Sequence, residues 1–150
     1  MPNILLPIPH QQQRQDADCL AACAAMVLMH LGHKVDYSRL LKLLRVKPFG
    51  TSGQNLKYLE SLDVQVIYRE GSLDELRTYL LDGVPCIALV RTTELSYWTY
   101  STDHALVVVG FDEQVIYVND PAFVRHPISV PVTQFELAWL DFDYRYGVVI

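Results

Sequence analysis

Cys19 stands at the mouth of an apolar segment, Asp18-Cys19-Leu20-Ala21-Ala22-Cys23-Ala24-Ala25-Met26, with Gln13 six residues before it. His104 opens a second apolar run, His104-Ala105-Leu106-Val107-Val108-Val109-Gly110, and Asp120 follows sixteen residues after it, in Val118-Asn119-Asp120-Pro121-Ala122. A thiol, an imidazole, a carboxylate and a carboxamide are the four groups that thiol-nucleophile acyl transfer calls for. The thiolate is the attacking form, and it is favoured at a helix N-terminus and beside an imidazolium. Asp16 and Asp18 act against a negative sulfur, so a histidine close to Cys19 has to outweigh them. An aspartate next to that histidine fixes its tautomer and steadies the imidazolium. Gln13, curled over the helix start, would share an oxyanion hole with the Cys19 N–H.

Each residue also has a plainer reading. Cys19 can be one more small side chain in an Ala/Cys-rich helix. Asn119-Asp120-Pro121 suits an ordinary turn. Gln13 has Gln11, Gln12 and Gln15 for neighbours. Cys23, one turn deeper among alanines, reads as core, and Cys86 in Val84-Pro85-Cys86-Ile87-Ala88 as a buried strand thiol. His30 and His33 end the first apolar segment, where a cation suits the helix dipole. His10 and His126 lie in loop-like settings beside Pro9 and Pro127. Neither Cys-x-x-Cys nor His-x-x-x-His occurs, and no P-loop or dinucleotide fingerprint is present. The expected chemistry needs no metal and no cofactor.

The elements around these residues follow from periodicity. Residues 1–12, with Pro2, Pro7 and Pro9, read as an extended arm. Asp18 can cap a helix over 19–31 that is apolar nearly all round and stops at Gly32. Asp36 can cap a helix over 37–44, and a third helix is expected over 54–61. Residues 64–68 alternate as a strand, and Ser72 with Glu75 forms a capping box for a helix over 73–81. Strands then dominate: 86–91, 104–111, 115–118, 128–130 and 146–150, with a short helix over 133–140. Asp112-Glu113-Gln114 turns one strand back on the next, so His104 and Asp120 should meet across a hairpin with matched ends. The stretch from Thr92 to Asp103, with Tyr97, Trp98 and Tyr100, has no period and is a candidate substrate loop. Helices first and a mostly antiparallel sheet later predict an α+β fold in one domain over 1–150.

The bulk numbers fit. The chain has 150 residues, 51% hydrophobic, with formal net charge −5. That supports a sizeable core. No Lys/Arg run offers a surface for nucleic acid or an anionic membrane. The proline-broken start lacks a signal peptide's basic region, and no apolar run is long enough to cross a bilayer. A cytoplasmic protein without membrane insertion is expected.

On Gln13, Asp18-Cys19-Leu20 before a small-residue helix, His104 in its apolar strand and Asp120-Pro121-Ala122, the sequence resembles the bacteriocin-processing cysteine peptidases. These form a papain-like family best known for trimming leader peptides after a double glycine. The resemblance covers almost the whole chain. It implies a papain-like fold and a peptide or protein substrate, leader peptides included. It implies Cys19 as nucleophile, His104 as base and acid, Asp120 as orienting carboxylate and Gln13 as oxyanion donor. Leu20 departs from the family's glycine after the nucleophile. No exporter-type membrane or nucleotide-binding segment is found, so a free-standing relative is expected. Two other classes share these residues: a transglutaminase-like or other Cys-dependent acyl transferase, and a peptidase-like binding module without activity.

Overall fold

The computed structural model of the chain describes residues 4–150; the first three residues of the expected arm lie outside them. Four α-helices, α1 (Cys19–His30), α2 (Tyr37–Leu43), α3 (Leu73–Leu81) and α4 (Val132–Leu140), accompany seven strands. The strands are β1 (Ile4–Leu5), β2 (Val66–Glu70), β3 (Cys86–Arg91), β4 (Asp103–Phe111), β5 (Val115–Asn119), β6 (Ile128–Pro131) and β7 (Arg145–Val149). They form one antiparallel sheet in the order β2-β7-β3-β4-β5-β6, and β1 pairs with β4 as well. The α+β expectation holds.

Strand alternation divides the interior in two. Ala105, Val107 and Val109 face a core shared with α1 and α2. Leu106 and Val108 face one shared with α3 and α4, where Phe135, Trp139 and Tyr146 are fully buried. Helix α1 is buried from Leu20 to Leu28, and its alanines let it lie close on the sheet. Each large apolar side chain it buries stabilises the fold by roughly 1.5–3 kcal/mol. Gly32, at φ +84°, ends the helix, and the His33 N–H bonds back to the Leu28 carbonyl at 2.9 Å. That left-handed stop is one a glycine adopts freely.

Three expectations need correcting. Asp18 does not cap α1. A 3-10 turn (Asp16–Asp18) precedes the helix and turns the Asp18 carboxylate back, where it accepts from the N–H groups of Gln15 (2.8 Å) and Arg14 (3.3 Å) and from the Tyr37 hydroxyl (2.6 Å). Asp36 precedes α2 in an extended conformation without a side-chain cap bond. The third expected helix is a ten-residue 3-10 helix, Gly53–Leu62. Its buried positions Gly53, Leu56 and Leu59 recur every third residue, the period at which 3-10 side chains line up on one face.

The β4–β5 hairpin also differs from a matched ladder. Val107 pairs with Asn119 and Val108 with Val118, then the register shifts before Gly110. At the turn end Gly110 pairs with Tyr117, a register that would carry Asp120 opposite Val107; the β-bulge moves it by one residue, toward Leu106 and onto the His104 face. Both residues still share a face, and they meet diagonally.

The N-terminal arm is more than extended chain. Ile4 and Leu5 pair with Phe111 and Gly110, and the Leu6 N–H donates to the Val109 carbonyl at 2.8 Å. A Cβ on Gly110 would strike the Ile4 carbonyl oxygen, so only glycine admits the arm at this distance. Beyond the strand, Ile8 is buried and its carbonyl accepts from Asn119 Nδ2 at 3.2 Å. His10 Nε2 donates to the Phe123 carbonyl at 2.6 Å, and its ring stacks on His126 with centroids 4.4 Å apart. The Gln13 N–H donates to the Pro121 carbonyl at 2.8 Å. The arm thus runs along the hairpin and delivers Gln13 beside the Asp120-Pro121 turn.

Candidate active site

Cys19 is the first residue of α1, half-buried, and it borders a cleft of about 640 Å³. The cleft lies between the turn at 48–53 and the edge where β3 ends and β4 begins, and His104 lines it too. Leu20, next to the thiol, is 1% exposed and belongs to the core under α1. The larger residue at the glycine position therefore sends its bulk inward.

His104 is buried, and its Nε2 meets Asp120 Oδ1 at 2.7 Å. With a carboxylate oxygen as acceptor, Nε2 carries the proton, and Nδ1 is the nitrogen left for the Cys19 sulfur. Burial opposes a charge on this ring. The bond to Asp120 and the adjacent Cys19 outweigh it and raise the His104 pKa from 6.5 to about 9. Desolvation acts on Asp120 in the opposite sense, toward neutrality. Its hydrogen bonds to His104, Tyr97 and the Ala122 N–H prevail and hold the carboxyl below the usual range.

Asp120 has no exposed surface and is fully engaged. Besides His104, Oδ1 accepts from the Ala122 N–H at 2.9 Å; Oδ2 accepts from the Tyr97 hydroxyl at 2.7 Å and from Trp98 Nε1 at 3.0 Å. The Trp98 ring packs edge-to-face on the His104 ring, centroids 4.7 Å apart. Periodicity could not assign these roles to Tyr97 and Trp98. Read as substrate-loop aromatics, they turn inward as donors to the carboxylate, and of that group Tyr100 is the exposed one, at 58%. A signal was present: adjacent aromatics with N–H and O–H groups need an acceptor when buried, and Asp120 is an acidic residue in an apolar hairpin. The loop is braced at its base, where Arg91 pairs with Asp103 at 2.6 Å and the Thr92 hydroxyl donates to the Tyr100 carbonyl at 2.8 Å.

Gln13 lines a second, smaller hollow of about 360 Å³ together with Trp98. Its Oε1 is buried without a hydrogen-bond partner among the described residues, whereas Nε2 is not so enclosed. Asp16 borders both hollows. Cys19 and His104 thus border one cleft, Asp120 stands behind His104, and Gln13 lies on the arm beside the Asp120-Pro121 turn. His30 and His33 lie elsewhere; His30 Nε2 donates to the Gly83 carbonyl at 2.9 Å. Cys23 and Cys86 are buried, and all three cysteines are free thiols. Among the described residues no cluster of three or more potential metal ligands occurs, and no helix is long and apolar enough to cross a membrane.

The chain is similar in fold to solved cysteine peptidase domains. A protein from Bacillus anthracis described as a C39-like peptidase superposes with a TM-score of 0.84 at 19% identity, covering 100% of this chain and 98% of that one. A double glycine motif protease from an AMS/PCAT transporter, solved with its leader peptide, gives 0.76 at 20% identity over 97% and 92% of the two chains. The peptidase domain of Streptococcus ComA, a bi-functional ABC transporter of a quorum sensing pathway, gives 0.76 at 18% identity over 93% and 96%. At such identities the likeness is one of fold, and it is the papain-like peptidase fold. No curated protein matches the chain in sequence. The model of the Peptidase_C39 like family matches residues 5–146, from the arm strand to β7 and across all four candidate residues, and the chain belongs to that family.

Proposed function

We propose that the protein is a peptidase that cleaves peptide bonds through a Cys19–His104–Asp120 triad. The observation that carries this reading is the His104–Asp120 bond at 2.7 Å, made through Nε2 so that Nδ1 is free for a thiol bordering the same open cleft. In the first step His104 Nδ1 holds the thiol proton, and the Cys19 sulfur attacks the peptide carbonyl carbon. The carbonyl π pair moves onto oxygen, where the Cys19 N–H and Gln13 Nε2 donate to it. The tetrahedral species collapses, the C–N bond breaks, and His104 gives its proton to the leaving nitrogen. Water, deprotonated by His104, then attacks the thioester and releases the acid and the thiol. Asp120 stays ionised throughout and holds the ring. No metal or cofactor enters these steps. A peptide or protein is the substrate, in line with the leader peptide bound by the transporter protease of the same fold. The three free thiols fit a reducing compartment such as the cytoplasm.

Limited iodoacetamide treatment followed by peptide mapping is the test. Burial pushes the thiol pKa of Cys23 and Cys86 up, so Cys19 should be labelled first and His104→Ala should slow it at neutral pH. Peptide hydrolysis should vanish in Cys19→Ala. Equal labelling of the three thiols would mark an inert module. Preferential transfer of the acyl group to an added amine, rather than to water, would mark a transferase.

A further inference from the structure

Apart from Gln13, the lining of the smaller hollow has no part in the steps above. One wall is the segment Gln12–Asp16 and the other the segment Tyr97–Tyr100, with Ala122 and Phe123 between them. Asp16 borders both hollows, so the smaller one adjoins the cleft that holds the thiol. The chemistry orders its two ends. His104 hands its proton to the leaving nitrogen, so the leaving segment lies on the His104 flank of Cys19. Trp98 closes that flank, packed on the His104 ring, and Trp98 is also a wall of the smaller hollow. The smaller hollow is therefore on the side where the residue after the scissile bond would leave.

Its lining has a definite chemistry. Asp16 is exposed and makes no ion pair with any described residue. Arg14, the cation in the same wall, is drawn off: its guanidinium lies over the Tyr37 ring, 4.3 Å from the centroid. Across the hollow Tyr100 is 58% exposed, its ring in edge contact with Trp98 at 5.3 Å. An unpaired carboxylate from one wall and an open aromatic face from the other attract the same group, a cationic side chain. We propose that this hollow is the leaving-side subsite and that it selects arginine or lysine immediately after the scissile bond, with Asp16 and Tyr100 as the selecting residues. The inference rests on the reading of Cys19 and His104 given above.

The experiment uses peptides with one common acyl half and Arg, Ala or Glu after the scissile bond. Two readouts are compared: kcat/KM with the wild-type enzyme, and affinity for the Cys19→Ala protein by calorimetry. Exposed charge pairing and a cation–π contact are each modest. The expected preference is about fivefold for Arg over Ala and about tenfold for Arg over Glu. In Asp16→Asn the Arg-to-Glu ratio should fall to within about twofold. Tyr100→Ala should weaken the Arg preference and Tyr100→Phe should keep it. Taking the ratio within each variant cancels any general change in rate. An Arg-to-Glu ratio unchanged in Asp16→Asn, or no preference in either readout, overturns the subsite. If no peptide is hydrolysed but Cys19→Ala binds the Arg peptide best through Asp16, the catalytic reading and with it the leaving-side assignment fail, while selection of a cationic side chain by this hollow is kept.

Discussion

Gln13 is one of four glutamines in five positions of the arm, and its backbone bond to Pro121 and its buried Oε1 single it out. Removing one oxyanion donor typically lowers kcat by about 10²–10³. Gln13→Ala should therefore cripple turnover and leave the melting temperature nearly unchanged, because the side chain is outside the core. Gln15→Ala, at an exposed position, should be mild; a reversed order in kcat would move the donor by two residues. The histidine gives a separate test. Its pKa is raised from 6.5 to about 9 in the folded protein, against the pull of burial, by Asp120 and Cys19. A raised pKa stabilises the fold fully below the unfolded value and loses that contribution as pH climbs through the folded one. The thermal advantage of wild type over His104→Gln should accordingly shrink between pH 6.5 and about 9. An advantage that does not vary over that window would show that the ring is not charged in the folded state. The depressed carboxyl of Asp120 acts at the other end, its stabilisation fading as acid protonates it.

At the scale of elements, the arm strand β1 depends on a side chain that is absent. Gly110→Val would drive a branched Cβ into the Ile4 backbone. A steric conflict of this kind typically costs about 1–3 kcal/mol. The melt should shift down, and the arm should become sensitive to limited proteolysis ahead of the rest of the chain. If the arm stays protected, β1 is not held by this pairing. The same elements mark where sequence reading stops. Helix α1, helix α3 and strand β3 were legible because each carries a complete local signal: an apolar run with its glycine stop, a Ser72 cap and a continuous strand run. The segment at 53–62 misled because its leucines fit a helical stripe, while the three-residue spacing of its buried positions belongs to a tighter coil. Asp18 misled because a capping residue was identified by type, and its backbone, already turning in the preceding 3-10 turn, aims the carboxylate elsewhere. The β-bulge after Val108 has no marker in an all-apolar run, so the face Asp120 takes could not be read from spacing, whereas its diagonal offset from His104 follows from the hairpin register itself.

At the scale of the whole molecule, α1 is the hinge between site and core, since its first residue is the candidate nucleophile and its following turns are buried against β4. Ala24 is fully enclosed there. Ala24→Leu inserts three carbons into a packed layer, with an expected loss of roughly 1–3 kcal/mol. Because the helix can relieve the strain only by lifting from the sheet, iodoacetamide labelling of Cys19 should change along with the melt; a lower melt with unchanged labelling would uncouple the two. The candidate site was legible as four residue types in order. Its inner support was not, because Tyr97 and Trp98 reach Asp120 only through the path of the β3–β4 loop. The arm pairing described above also sets an order in time. Ile4 and Leu5 are made more than a hundred residues before their partners Phe111 and Gly110, and His104 follows Cys19 by 85. At roughly 5–20 residues per second, the growing chain carries its thiol for several seconds with neither imidazole nor docked glutamine, so under the proposed mechanism the ribosome-bound fragment should be inert until β4 and β5 have formed against the arm.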